Sequence, residues 1–249
     1  MIEIKSIQKS FNGRQVLTGI SGSFQPGDTS LIIGGSGTGK SVLLKCMIGL
    51  IEPDKGEVLY DGRNFLTADD ETRKAIRREM GVLFQGSALF DSKSVFANVR
   101  FPLDMLTNMT EDEKLERAHA SLRRVGLEDA EERMPSEISG GMKKRVGIAR
   151  AIVMNPKYLF CDEPNSGLDP LTSIKIDQLI KEITDEYKIT TVVITHDMNS
   201  MMEIGNKIMF LYEGEKLWEG TSDTLSQSDV PRLNEFIYAN KLLREMQRK

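Results

Sequence analysis

The sequence predicts an α/β fold: a mostly parallel sheet wrapped by helices, with a small antiparallel β layer and a helical subdomain attached. Three observations predict it. Short apolar runs of strand type alternate with longer helical patterns. One run, Lys157–Asp162, is continuously apolar through Tyr158-Leu159-Phe160-Cys161, as a strand covered on both faces must be. Between it and the next run, Thr190–Thr195, the residues Ile176, Leu179, Ile180 and Ile183 recur at i, i+3, i+4 and i+7, one face of an amphipathic helix. Two strands joined by such a helix lie parallel in one sheet.

Taken in order, the first 25 residues and Glu57–Arg63 read as short strands with turn residues, which supply the antiparallel layer. Thr29–Gly34 is a strand, followed by a helix from about Ser41 to Leu50, and Met80–Gln85 is a further strand. Residues from about 87 to 157 look helical throughout. Glu111–Gly126 is the clearest stretch, with Leu115, Ala118, Leu122 and Val125 on one stripe and Gly126 as its stop. From Thr221 a tail leads into a last helix, roughly Arg232–Gln247, with Leu233, Phe236, Ile237, Leu242 and Leu243 among charges. There is no internal repeat, low-complexity segment or linker. One domain over 1–249 is therefore expected, with a helical subdomain about 87–157 and a C-terminal helical extension about 221–249.

Composition narrows the classes. Of the 249 residues, 28% are charged and 39% hydrophobic, which excludes wholesale disorder. Lys+Arg 33 against Asp+Glu 37 leaves a net charge of −4 and a pI near 5.5, the wrong balance for a nucleic-acid partner. No apolar run approaches the ~18 residues of a membrane span, and Met1–Lys5 alternates like a strand rather than a signal-peptide core. Cys46 and Cys161 lie in apolar stretches, where no disulfide is expected. A soluble, cytoplasmic chain is the expectation.

The most specific local pattern is Gly34, Gly35, Ser36, Gly37, Thr38, Gly39, Lys40 and Ser41, which fits G-x-x-x-x-G-K-[ST] between a strand and a helix. The glycines let successive backbone N–H groups turn inward as a nest for phosphate oxygens, and the following helix adds its positive end. Lys40 would reach the β- and γ-phosphates and the Ser41 hydroxyl would ligate Mg²⁺. Chance would place this pattern in roughly one chain of this length in a hundred. A second feature agrees: the apolar strand ends in Asp162-Glu163. Asp162 suits a Mg²⁺ shell and Glu163 could take a proton from, or orient, an attacking water. The bland alternative is a strand that ends at the surface, where carboxylates cost little.

The segment Ile138-Ser139-Gly140-Gly141-Met142-Lys143-Lys144-Arg145 resembles the signature of ATP-binding cassette (ABC) ATPases, written LSGGQ followed by basic residues. It stands upstream of Asp162-Glu163, as in that family. Phe11 resembles the aromatic residue on which adenine stacks, Gln85 the Q-loop glutamine, Ser166-Gly167-Leu168-Asp169-Pro170 the D-loop, and His196 the switch histidine. The resemblance implies a P-loop NTPase with a RecA-like parallel-sheet core, ATP and Mg²⁺ as cofactors, and ATP hydrolysis. Glu163, His196, Gln85 and Lys40 would then be catalytic; Ser41, Gln85 and Asp162 would hold the metal; Ser139, Gly140, Gly141 and Asp169 would join the nucleotide site.

It also implies a head-to-tail homodimer, with each ATP between one subunit's glycine-rich loop and the other's Ser139–Gly141. Ser139 can cap the next helix, whose first turn holds Lys143, Lys144 and Arg145; for each of those three cations a solvated basic face is the competing reading. His119, in a charged helix, reads as a surface residue. The cysteines and most of the thirteen methionines read as core. Met105, Met109 and Val95–Leu106 follow the Q-loop, where this family receives a permease's coupling helix, although core packing explains some of them equally well.

Leu83–Asp91, Val95–Val99 and Phe101-Pro102-Leu103, with Met142 in place of the usual Gln, resemble the ATPases of Mla/Mce-type phospholipid transport systems. Asn165 stands where Thr is common, Gly35 where Pro is common, and Ile138 where Leu is. The resemblance implies a peripheral subunit on the cytoplasmic face of the inner (plasma) membrane. Its partners would be an integral membrane permease, a periplasmic Mce lipid-binding protein and, in some systems, a small STAS-domain protein at the C-terminal helix. Two alternatives stand beside phospholipid transport: an importer ATPase for a small polar solute, and a soluble ABC ATPase of iron–sulfur assembly.

Overall fold

In the computed structural model the chain is described over residues 1–225 and 227–238. Strand β1 (Ile2–Phe11) turns at Asn12-Gly13 into β2 (Arg14–Phe24), and β3 (Thr29–Ile33) leads through the glycine-rich loop into α1 (Lys40–Met47). Then come β4 (Lys55–Tyr60), β5 (Arg63–Asn64), α2 (Asp70–Arg78) and β6 (Met80–Leu83). The helical part holds α3 (Val95–Leu106), α4 (Glu111–Arg124) and α5 (Gly140–Ile152). The chain returns through β7 (Tyr158–Asp162), α6 (Pro170–Tyr187), β8 (Thr190–Thr195), α7 (Met198–Glu203), β9 (Lys207–Tyr212) and β10 (Glu215–Gly220) to the short α8 (Ser222–Leu225) and α9 (Pro231–Ile237).

Two sheets result, as expected. The antiparallel sheet has the order β2-β1-β4-β5, and the larger one the order β10-β9-β3-β8-β7-β6, parallel except for β10. Every residue of β3, β7 and β8 is buried, their apolar centres together with the hydroxyls and the carboxylate at their ends. Alternation along those strands feeds two cores. Leu31, Ile33, Leu159, Cys161 and Val193 face the core built with α3–α6. Ile32, Tyr158, Phe160, Val192 and Ile194 face a second core, closed by the antiparallel sheet. Helix α1 runs through this second core, burying Leu43, Leu44, Cys46 and Met47. Cys46 and Cys161 are free thiols in different cores, and burial pushes the Cys46 thiol up to about 11.

The strands are shorter than their apolar runs. Strand β3 stops at Ile33 because Gly34 takes φ 149°, and β6 stops at Leu83, two residues before Gln85. Residues 87–157 are not helical throughout. They are three helices parted by loops and by single 3₁₀ turns at Glu128–Ala130 and Pro135–Glu137. Each helix starts at an extended cap whose hydroxyl accepts a backbone N–H three residues on: Ser94 from Ala97, Thr110 from Glu113, and Ser139 from Met142. Glu113 returns the bond to Thr110 as a capping box, and Gly126, at φ 63°, follows the end of α4 as its sequence predicts. The last helix is α9 within the described residues. The expected continuation through Leu242 and Leu243 lies outside them.

One buried polar group stands inside this framework. Asp177, in the middle of α6 and 2% exposed, accepts from Asn165 Nδ2 at 2.9 Å and from the Ser200 hydroxyl at 2.7 Å. Burial raises its pKa from 3.8 to about 6. The two hydrogen bonds oppose that rise, while the Asp197 and Glu203 carboxylates add to it. A carboxyl with a raised folded pKa contributes stability that is full below the unfolded value and lost as pH climbs through the folded one. Between pH 4 and pH 8 the chain should therefore lose about 3 kcal/mol at this position. Asp177→Asn keeps an acceptor for both donors and should flatten that part of the curve, as read by urea denaturation at each pH.

Candidate functional site

Parallel pairing brings the predicted site residues to one edge of the large sheet. In the ladder Ile33 pairs with Thr195, Asp162 with Ile194, and Leu83 with Cys161. The strands β3, β6, β7 and β8 therefore end level, and their following residues enter one crevice. Beside it opens a cavity of about 1160 Å³, lined by Gly35–Val42, by Arg14, Gln15 and Val16 of β2, and by Tyr212–Gly214. Arg232, Glu235 and Phe236 of α9 complete the wall. Phe236 packs on Phe210 with ring centroids 5.5 Å apart, and the Arg232 guanidinium lies 5.3 Å above the Tyr212 ring. The C-terminal segment, expected only as a partner contact, thus borders the glycine-rich loop.

That loop is sterically committed to glycine at two positions. A Cβ on Gly34 would stand 2.3 Å from the Leu211 carbonyl oxygen, and one on Gly39 2.8 Å from the Leu17 side chain. Both also have positive φ. Gly35 differs: a Cβ there would meet only the Thr38 methyl at an ordinary 3.8 Å, so its departure from the common proline carries no steric demand.

Lys40 is buried and donates to the Gly34 and Gly35 carbonyls at 2.9 and 2.8 Å, holding the loop closed upon its own ammonium. Burial lowers its pKa, against the pull of Glu163 and Asp162. Thr38 Oγ1 donates to the Gly35 carbonyl at 3.0 Å. The Ser41 hydroxyl points at Asp162 Oδ1, 3.4 Å away. Burial and the neighbouring Glu163 raise the pKa of Asp162, with only Ser41, Lys45 and Lys40 offsetting them. A hydroxyl and a buried carboxylate short of positive charge are a hard-oxygen donor set, which fits Mg²⁺. Gln85, the third expected ligand, donates from its side chain to Ser166 Oγ at 3.2 Å.

Glu163 has φ 49°, unusual outside glycine, and is held there by its N–H donating to Ile194 O at 2.9 Å and its carbonyl accepting from Ser166 N at 3.1 Å. The turn aims its carboxylate at His196, whose Nδ1 is 2.7 Å from Oε2. The two residues come from the ends of neighbouring strands, β7 and β8.

Ser139, the cap of α5, and Gly140, its first residue, are exposed. Gly141 is held small by Thr172, whose side chain would be 2.6 Å from an added Cβ. Asp169 caps α6 through Thr172, on the surface beside this segment and outside the cavity wall. Phe11, 42% exposed with the Lys9 ammonium 5.4 Å above its ring, is also outside that wall.

Three readings of basic side chains change. Lys144 is buried, not solvated, and its ammonium donates to the backbone carbonyls of Gln85 and, at 3.2 Å, of Glu163. Arg145 donates to the Val125 and Gly126 carbonyls at 3.1 and 3.0 Å. His119 is no bare surface residue: Nδ1 meets Glu131 Oε1 at 2.8 Å and the ring lies on Phe96. The signal for Lys144 was in the sequence, since Lys144, Gly147, Ile148 and Ala151 form one i, i+3, i+4, i+7 stripe, all buried.

With this geometry in view, comparison with known proteins decides the family: the model described as ABC transporter matches residues 17–166. The chain belongs to the ABC transporter family. It is an ATP-binding domain of that family, with ATP as substrate and Mg²⁺ as cofactor, and its fold is that of a solved ABC cassette. That structure, the dimeric ATP-binding cassette MJ0796 in a post-hydrolysis state bound to ADP and Pi, matches with a TM-score of 0.80 at 33% identity, covering 89% of this chain and 99% of that one. The probable ribonucleotide transport ATP-binding protein mkl of Mycobacterium leprae is 36% identical over 97% of this chain and 70% of its own length. The protein TRIGALACTOSYLDIACYLGLYCEROL 3 of Arabidopsis thaliana is 39% identical over 95% and 73%. The methionine import ATP-binding protein MetN of Clostridium tetani is 42% identical over 87% and 68%. Among the described residues no helix is long and apolar enough to cross a membrane.

The two glycines give a paired prediction. Gly34→Ala should destabilise the fold by about 2 kcal/mol or more and abolish ATP binding. Gly35→Ala should stay within about 0.5 kcal/mol and still bind. Thermal denaturation with and without ATP separates them.

Proposed function

We propose that this chain is the ATP-hydrolysing subunit of a transporter that moves phospholipid through a separate integral membrane permease, working as a head-to-tail homodimer on the cytoplasmic face of the inner membrane. The observation that carries the hydrolytic part is the Glu163–His196 contact of 2.7 Å, set beside the glycine-rich loop and the Ser41–Asp162 pair. The phospholipid part is supported by the resemblance of Leu83–Asp91, Val95–Val99 and Phe101-Pro102-Leu103 to Mla/Mce-type ATPases and by the similarity to a plant protein named for a galactolipid.

In this reading the whole of 1–249 is one cassette. Lys40 leaves the Gly34 and Gly35 carbonyls for the β- and γ-phosphates, and the N–H groups of Ser36–Ser41 take the remaining oxygens. Ser41 and Asp162 would hold Mg²⁺, which would supply neutralisation of phosphate charge. Glu163 accepts the proton of the attacking water, and His196 keeps that carboxylate aimed. Gln85 reaches the γ-phosphate side by exchanging its bond to Ser166. Ser139–Gly141 of a second copy cover the γ-phosphate, with Asp169 at the dimer seam and Phe11 against adenine. The exposed Phe90, Met105 and Leu106 form an apolar patch next to the Q-loop for the permease. An Mce protein and a STAS-domain protein would complete the system.

The 42% identity to a methionine import subunit favours a second reading, an importer for a small polar solute. Affinity purification of the tagged chain from membranes tests the two: a permease that arrives with bound phospholipid is the expected result, and one that arrives with a solute-binding protein and no lipid would overturn the first. For hydrolysis, Glu163→Gln should bind ATP as tightly as the parent, lower turnover by about 10²-fold or more, and accumulate as an ATP-bound dimer. Turnover at the parent's rate would remove Glu163 from the chemistry.

A further inference from the structure

We propose that Asn165, Asp177 and Ser200 form a positioning clamp that keeps Glu163 and His196 in register for hydrolysis. This rests on the reading of those two residues as the catalytic pair. The three side chains close a triangle. Asn165 Nδ2 donates one hydrogen to Asp177 Oδ2 at 2.9 Å and the other to Ser200 Oγ at 3.0 Å, and the Ser200 hydroxyl donates to Asp177 Oδ2 at 2.7 Å. They are 8%, 2% and 0% exposed, so water does not compete for these bonds.

Their places in the chain make the triangle more than local packing. Asn165 lies two residues after Glu163, in the loop that leaves β7. Ser200 lies four residues after His196, in the six-residue helix α7. Asp177 belongs to α6, a long helix whose Ile176, Ile180 and Ile183 are fixed in the core. The clamp thus ties the two segments that carry the pair to one rigid element. The loop at Glu163 holds a left-handed backbone, and the clamp adds a side-chain tie to the backbone bonds that already fix it. Asparagine suits position 165 because it offers two N–H donors from one atom, whereas a threonine hydroxyl offers one and would keep only one of the two bonds that Asn165 donates.

The network is not there for stability. Burial disfavours the charged form of Asp177, the Asp197 and Glu203 carboxylates add to that, and the remaining acceptors, Asn165 Oδ1 and Asp177 Oδ1, have no partner among the described residues. Replacing a buried polar network by apolar side chains of similar volume is often neutral or stabilising. What the polar triangle supplies and an apolar cluster does not is direction.

The test is a double-mutant cycle on steady-state ATP turnover of the full chain. Ser200→Ala removes one oxygen and should lower kcat about 10-fold while leaving KM for ATP within 2-fold. Asp177→Asn, which keeps an acceptor, should stay within 3-fold of the parent. On a His196→Ala background, Ser200→Ala should cost less than a further 2-fold, since the contact it supports is already gone. A full 10-fold loss on that background would make the triangle merely structural and overturn the clamp. So would a Ser200→Ala and an Asn165→Leu that both turn over like the parent while His196→Ala is slow. A His196→Ala that turns over at the parent's rate would instead sink the catalytic reading, and the clamp with it.

Discussion

The level ending of four parallel strands is the constraint on which the site depends. Backbone pairing of Ile33 with Thr195, Asp162 with Ile194 and Leu83 with Cys161 leaves no freedom in where the next residues emerge. Lys40, Glu163, His196 and Gln85 are far apart in sequence and share no local motif. They become neighbours because each follows a strand in one ladder. A slip of one residue in any pair would send its apolar side chains to the wrong core, so the register is fixed by burial on both faces and the site inherits its precision from that.

The electrostatics of the crevice are those of a site prepared for a polyphosphate and its metal. Asp162 is buried beside another carboxylate, and Lys40 is buried with only loop carbonyls as its hydrogen-bond acceptors. Each charged form is disfavoured by burial, and the two lean on each other only through space. Ligand charges of both signs would relieve both residues together. The glycines matter as well: with Leu211 O 2.3 Å from where a Cβ on Gly34 would go, the loop packs backbone to backbone there.

Much of this was legible beforehand. Apolar runs marked β3, β7 and β8, helical periodicity marked α6, and the glycine-rich loop and Ser139–Gly141 stood out by residue type alone. What escaped lies in tertiary context. A lysine in a signature of three consecutive cations reads as solvated, yet Lys144 is turned inward by helix geometry to serve two carbonyls that the sequence leaves 78 residues apart. Asn165 read as an unexplained departure until Asp177 and Ser200, 12 and 35 positions downstream, closed around it. The apparent helix over 87–157 was broken by caps whose short polar side chains look unremarkable among so many charges. Placement of α9 against the cavity had no signal at all, since it depends on Phe210 and Tyr212 of a strand laid down earlier.

The two thiols have a practical consequence. Cys46 and Cys161 are each shut inside the protein, on opposite sides of the large sheet, with no solvent exposure. Neither can reach the other without dismantling the layer between them, and a reagent in solution meets sulfur only when a core opens. The intact chain therefore tolerates oxidising conditions without crosslinking to itself, and its rate of alkylation serves as a built-in clock for opening of the fold, with no label to be engineered.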